Sequence, residues 1–121
     1  MKIAIIDDLI ECRKDIESCL HKFFKKHYVD ENIYIEEYSS GENFLCSFQK
    51  SAYDLIFIDQ YMQELSGIET ARQIREFDKL VILVFITTSR DYAIDSYQVR
   101  AGGYLLKPFS YDDFEQTLLL L

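Results

Sequence analysis

The sequence predicts an α/β fold, a parallel five-stranded sheet with helices on both faces, and three observations carry that prediction. Short apolar runs alternate with helix-periodic segments along the whole chain, the pattern of parallel strands joined by right-handed helical crossovers. Leu55-Ile-Phe-Ile58 is apolar without alternation and ends abruptly on Asp59. A strand buried on both faces reads this way when its C-terminal tip presents a carboxylate. Four of the five predicted strands also end on polar groups that can share one edge: Asp7 and Asp8, Asp59, Thr87 and Lys107. Ligands of open parallel sheets bind just beyond the carboxyl ends of the strands, so this placement marks the candidate site.

Taken in order, Lys2 to Ile6 is the first short apolar strand. From Glu11 to His27 the residues Cys12, Ile16, Cys19, Leu20, Phe23 and Phe24 recur at amphipathic-helix offsets, while Arg13, Lys14, Glu17, Lys22 and Lys25 are read as a solvated face. Asn32 to Tyr38 alternates and is rich in Ile and Tyr, which predicts a strand. Ser39 followed three residues later by Glu42 predicts a capping box, then a short helix through Phe44, Leu45 and Phe48. After the Asp59 strand a loop runs to Gly67, and Ile68, Ala71, Ile74 and Phe77 mark another helix. Leu80 to Ile86 is the most strand-like run. Asp91 to Gln98 predicts a short helix, Gly102 to Leu106 a last strand, and Ser110 onward a last helix with Ser110 as its N-cap.

A chain of 121 residues, 49% apolar and 28% charged, is one domain able to bury a core without disulfides or a structural metal. No apolar run approaches the roughly 20 residues needed to span a bilayer, and the opening Met1 to Ile6 is too short for a secretory signal, so a cytoplasmic location is expected. The net charge of -8 argues against this segment gripping a phosphate backbone. Cys12, Cys19 and Cys46 lack metal-ligand spacing and are read as buried or neutral thiols, with a redox role as the alternative. His21 and His27, six apart, are read as surface or packing residues.

At the shared edge, three neighbouring carboxylates repel one another by about 3 kcal/mol per pair at an effective dielectric of about 20. A divalent cation resolves this, and all-oxygen ligation suits Mg2+ or Mn2+. Lys107 brings a compact cation on a flexible stem. Between metal and ammonium, a carboxylate oxygen of Asp59 can attack a phosphoryl group, with Thr87 donating to a phosphoryl oxygen. Each residue also has an ordinary reading: a lone Asp after a strand is a turn or cap residue, Asp7-Asp8 can cap the first helix, and Lys107 can be a surface lysine. The set at four strand ends is what favours the chemical reading.

In these residues the chain resembles, over essentially its whole length, the receiver domains of two-component response regulators. Asp7-Asp8 is similar to that family's metal pair, Asp59 in Ile-Asp-Gln-Tyr-Met to its phosphorylated aspartate, Thr87 to its switch hydroxyl, and Leu-Lys107-Pro-Phe to its lysine motif. Tyr104, three residues before Lys107, matches its switch aromatic. The resemblance implies a doubly wound, flavodoxin-like sheet of order 2-1-3-4-5. It implies Mg2+ held by Asp8, Asp59 and the backbone carbonyl of Tyr61, with Asp7 helping through water. It also implies a cis bond before Pro108, a form found in only about 5–6% of X-Pro bonds.

By the same resemblance, a sensor histidine kinase phosphorylates Asp59, Thr87 and Lys107 move to meet the new oxygens, and Tyr104 turns inward. The face built from Asp91 to Gln98, the last strand and the last helix then changes partners, with homodimer pairing as the readout. Tyr92 to Val99 and Tyr104 to Phe109 resemble receivers attached to LytTR-type DNA-binding domains, so DNA contact is expected only through a separate output domain. Ending within Leu118-Leu-Leu-Leu121 fits a receiver cut from a longer regulator. Gln63, where the family usually has proline, and Thr88, at a position usually small, depart from the pattern; Tyr61 and Ser89 sit where the family varies its dephosphorylation rate. Two other classes stand beside this one. A pseudo-receiver would keep the fold as an interaction module without phosphorylation. A haloacid-dehalogenase-like phosphatase would put its nucleophile at Asp7 and want a second Asp at position nine, where this chain has Leu9.

Overall fold

The computed structural model describes residues 1–50 and 52–121. Strands β1 (Lys2–Ile6), β2 (Tyr34–Tyr38), β3 (Leu55–Ile58), β4 (Ile82–Thr87) and β5 (Gly103–Leu106) alternate with helices α1 (Ile10–His27), α2 (Gly41–Ser47), α3 (Gly67–Phe77), α4 (Ala93–Gln98) and α5 (Tyr111–Leu119). All pairings are parallel, in the order β2-β1-β3-β4-β5. This is the doubly wound, flavodoxin-like arrangement expected from the sequence.

The two-residue period of the strands sorts their side chains into two cores. Ile3, Ile5, Phe57, Val84 and Ile86 face α1 and α5, where Ile16, Leu20, Phe23, Phe114 and Leu118 close the layer. Ala4, Ile6, Ile56, Ile58, Leu83 and Phe85 face the other way, onto Phe44 of α2 and Ile68, Ala71 and Ile74 of α3. Because β3 is covered on both faces, all four of its residues are buried, which is why its sequence shows no alternation. Register does the rest: Ile6 pairs with Ile58 and Ile58 with Phe85, so the residues following β1 and β3 emerge side by side.

Several local expectations are corrected. The strand expected from Asn32 begins at Tyr34, because β1 starts at Lys2, opposite Tyr34, and the Asn32 carbonyl accepts instead from the N-terminal ammonium at 2.8 Å. The strand expected from Leu80 begins at Ile82, since the Asp78 carboxylate takes the amides of Leu80 and Val81 at 2.9 and 3.1 Å and turns the chain there. The fourth helix starts at Ala93 rather than Asp91, after a turn held by Ala93 N–H donating to the Arg90 carbonyl.

The capping box expected at Ser39 and Glu42 does not form. Ser40 is the N-cap, accepting from the Asn43 amide at 3.1 Å, and Glu42 reaches across to the Leu65 amide at 3.3 Å. Capping boxes stand instead at Ser66 with Glu69 and at Ser110 with Asp113, the latter on the expected N-cap. Phe48 falls just past the end of α2 as its C-cap.

On α1, Arg13 is not a solvated residue: its side chain is largely covered, donating to the Asp7 carbonyl at 2.6 Å and to Glu37 at 3.0 Å. Lys22 lies over the Tyr111 ring, 4.2 Å from its centroid. His27, half-buried, meets Glu115 at 2.8 Å and tilts against Phe23. The cysteines are free thiols, Cys12 and Cys19 half-buried and raised in pKa chiefly by burial, whereas Cys46 is exposed. Among the described residues no helix is long and apolar enough to cross a membrane.

Candidate phosphoryl and metal site

Asp7, Asp8, Asp59, Thr87 and Lys107 sit at or just beyond strand tips. Asp7 leaves β1 with its amide bonded to the Tyr38 carbonyl of β2 at 3.0 Å, and Asp59 leaves β3 with its amide bonded to the Ile6 carbonyl of β1 at 2.9 Å. The sheet therefore orients both backbones before any side-chain contact forms. Thr87 ends β4, and its carbonyl accepts from the Lys107 amide at 2.7 Å, bringing β5's following residue to the same edge.

The side chains converge. Carboxylate oxygens of Asp7, Asp8 and Asp59 lie within 4.8 Å of one another. The Lys107 ammonium donates to Asp7 Oδ2 at 2.7 Å and stands 3.4 Å from Asp59 Oδ1. Asp7 and Asp59 are only 1% and 5% exposed, while Asp8 opens to solvent, so the cluster has a dry floor and a wet mouth. Asp7 Oδ1 also accepts from the Leu9 amide at 2.9 Å, a turn contact just before α1; the helix-cap reading of Asp7-Asp8 is not met, since the N-cap is Leu9 and no side chain caps the helix.

This crowding shows in the charges. Burial, then the negative charge of Asp7, pushes the Asp59 carboxyl up from 3.8 to about 6, against the opposing pull of Lys107. Burial draws the Lys107 ammonium down, but its hydrogen bond to Asp7 and the charge of Asp59 more than offset this, and it ends raised. Three hard-oxygen donors with one ammonium are short of positive charge, and such a set fits an octahedral divalent cation such as Mg2+ or Mn2+.

Thr87 supplies the second sign of a missing partner. It is fully buried, and its Oγ1 has no hydrogen-bond partner among the described residues. An unpaired buried hydroxyl is costly unless something completes it part of the time. Thr87→Val, which keeps the shape and removes that hydroxyl, is therefore expected to leave the metal-free fold as stable as before or up to about 1 kcal/mol more stable in urea unfolding. A loss of stability on that substitution would mean the hydroxyl has a structural partner after all.

Tyr61 lies in the loop after Asp59, its ring edge-on to Tyr92 at 5.7 Å. Tyr104 is half-buried beside Phe85, and its hydroxyl donates to the Ser89 carbonyl, tying β5 to the loop that leaves Thr87. The peptide between Lys107 and Pro108 is cis. Gln63 is exposed, and Thr88 lines an open groove with Cys12, Lys107 and Phe109. Two residues around the site were not legible. Arg13 is spaced like its solvated helix neighbours, and Gln60, 4% exposed, carries no motif.

Fold and site together define a class: an α/β domain carrying a carboxylate triad, a lysine and a buried hydroxyl at the carboxyl edge of its sheet. The chain belongs to the response regulator receiver domain family, whose pattern matches residues 3–119. Its relatives are response regulators of the LytR and LytT type. The sensory transduction protein LytR of Staphylococcus haemolyticus is 30% identical over 118 residues, covering 98% of this chain and 44% of that protein. The transcriptional regulatory protein LytR of Staphylococcus aureus is 27% identical, covering 98% and 46%. Among solved structures, the response regulator protein TrrA of Thermotoga maritima, in complex with Mg(2+)-BeF, is 26% identical with a TM-score of 0.77, covering 99% of this chain and 98% of that one. The chain spans less than half the length of the curated relatives named here.

Proposed function

We propose that this chain is a phosphorelay receiver that takes a phosphoryl group onto Asp59 from the phosphohistidine of a sensor histidine kinase. What supports the reading is the convergence of three carboxylates and one ammonium onto one pocket, with the buried Thr87 hydroxyl at the end of the neighbouring strand β4. Asp7, Asp8 and Asp59, with the carbonyl of Tyr61 as the family pattern implies, would hold Mg2+, which supplies neutralising charge for the carboxylates and the phosphoryl oxygens. An Asp59 oxygen forms the new O–P bond as the P–N bond to the kinase imidazole breaks, and the electron pair returns to that ring nitrogen. Lys107 and the Thr87 hydroxyl receive the phosphoryl oxygens, so the hydroxyl gains the partner it lacks.

Drawing Thr87 and Lys107 toward the phosphoryl group changes the ends of β4 and β5, and Tyr104 links that movement to the following loop. Ile94 and Tyr97 on α4, 77% and 83% exposed, offer apolar surface for pairing through the α4, β5 and α5 face. A bias of a few kcal/mol suffices to invert such a population. The relatives are about twice as long as this chain, which supports a separate DNA-binding output domain of the LytTR type. The chain is thus regulatory, acting on its own phosphorylation state in the cytoplasm.

With Mg2+ and acetyl phosphate, intact mass measurement is expected to show a gain of one phosphoryl group, lost when EDTA replaces Mg2+. No gain at saturating donor would favour an interaction module that keeps the fold without the chemistry. Turnover of a phosphomonoester that disappears on Asp7→Asn would favour the phosphatase.

A further inference from the structure

The residue immediately after Asp59 is a buried glutamine whose side chain faces away from the acid pocket, into the start of α3. Its Oε1 accepts from the Ile68 amide at 2.9 Å, and its backbone carbonyl accepts from the Gly67 amide at 3.0 Å. The other two free amides of that helix start belong to the capping box: Glu69 N–H donates to Ser66 Oγ at 3.2 Å and Ser66 N–H to Glu69 Oε1 at 3.0 Å. A helix opens with four orphan donors, and here Gln60 alone takes two of them.

The seam is tight as well as bonded. A Cβ added at Gly67 would stand 2.4 Å from the Asp59 carbonyl oxygen and 2.9 Å from the Gln60 Cα, so the first turn of α3 lies flush on the backbone of residues 59 and 60. On its other side the Asp59 amide donates a hydrogen bond to the Ile6 carbonyl of β1 at 2.9 Å. The loop beyond carries Gln63 in place of a rigid proline, so stiffness there must come from side-chain contacts.

We propose that Gln60 is a positioning residue for Asp59, fixing the carboxylate's place relative to Asp8 and Lys107 by clamping its peptide to the α3 N-terminus. This rests on the reading of Asp59 as a phosphoacceptor beside a divalent cation. Gln60 touches neither metal nor phosphoryl group; it holds the backbone from which the ligand hangs. Outer-shell groups that orient metal ligands commonly set metal affinity by about 10- to 100-fold, and a backbone clamp on the ligand's own peptide is expected to act in the same direction.

The test is a Mg2+ titration by calorimetry, run beside thermal unfolding in EDTA, on the parent chain, Gln60→Met and Ser66→Ala. Gln60→Met keeps the side chain's length and bulk but removes the acceptor. Ser66→Ala removes a cap of the same helix without touching the Asp59 peptide. Expected is Mg2+ binding at least about tenfold weaker in folded Gln60→Met, with Ser66→Ala less heat-stable but binding within about twofold of the parent. Should Gln60→Met be unfolded, Gln60→Leu and Gln60→Glu are measured in its place, Glu restoring the acceptor and with it the affinity. Parent-like binding in a folded variant lacking the acceptor, or equal weakening by Ser66→Ala, would overturn the assignment. A parent chain that binds no Mg2+ would overturn it too, and with it the phosphoacceptor reading; binding in the parent with no effect at Gln60 removes this inference alone.

Discussion

Asp59→Asn is expected to abolish the phosphoryl gain and, in EDTA at pH 7, to make the fold more stable than the parent. The first effect follows from loss of the attacking carboxylate, the second from removal of a buried charge. The Asp59 carboxyl is pushed up from 3.8 to about 6, first by burial and then by the charge of Asp7, so the folded state binds its proton more tightly than the unfolded chain does. Stability therefore falls as pH rises from about 4 to about 6, and above that window the ionised carboxylate exerts its full destabilising effect. A shift of this size corresponds to at most about 3 kcal/mol, so a gain on the order of 1–2 kcal/mol is expected for the neutral amide, which keeps part of the burial cost. Urea unfolding at pH 7 and at pH 4 checks it: the advantage of Asp59→Asn should be present at the first and shrink at the second. A variant less stable than the parent at pH 7 would mean Asp59 is a structural residue held by its charge.

Lys107→Ala should act in the opposite direction. The ammonium lies 2.7 Å from Asp7 and 3.4 Å from Asp59, with Asp7 wholly buried, so its loss leaves the acidic cluster uncompensated. Breaking one side of a buried pair costs about 3–5 kcal/mol, and the solvent-facing Asp8 puts this site at the lower end, about 3 kcal/mol in EDTA. Lys107 also pairs with two of the carboxylates, Asp7 and Asp59, that would hold a divalent cation. Mg2+ is accordingly expected to bind Lys107→Ala more tightly than the parent and to restore much of the lost stability by mass action. Phosphoryl gain, for which the proposed mechanism uses the ammonium on a phosphoryl oxygen, should still fall by more than about tenfold. Urea unfolding with and without Mg2+ separates the effects: equal stabilisation of parent and variant by Mg2+ would mean that lysine and metal do not share the pocket.

Most of the architecture was legible because hydrophobic period reports burial directly. The uninterrupted run from Leu55 to Ile58 announced a strand covered on both faces, and the polar residues at strand ends announced the edge where the acidic cluster forms. Boundaries were less legible because local hydrogen bonds override propensity. Leu80 and Val81 have strand-forming side chains, but their amides are claimed by Asp78. Ser39 and Glu42 have capping-box spacing, but Ser40 sits one residue nearer the helix and Glu42 finds Leu65. Arg13 and Gln60 were hidden for a different reason: each acts by reaching a backbone group distant in sequence or around a loop, and nothing in residue type or spacing marks such a contact. The acidic pocket, by contrast, was visible because its members are chemically unusual at strand tips.

The central claim is that residues from four strand ends make Asp59 a phosphoryl acceptor. An acyl phosphate can be reduced by borohydride to a homoserine, leaving a stable mark where the phosphoryl group sat. After treatment with acetyl phosphate and Mg2+, reduction and peptide mapping should place that mark on Asp59. The same mark on Asp7 or Asp8, or on no aspartate while the parent remains folded, would contradict the account.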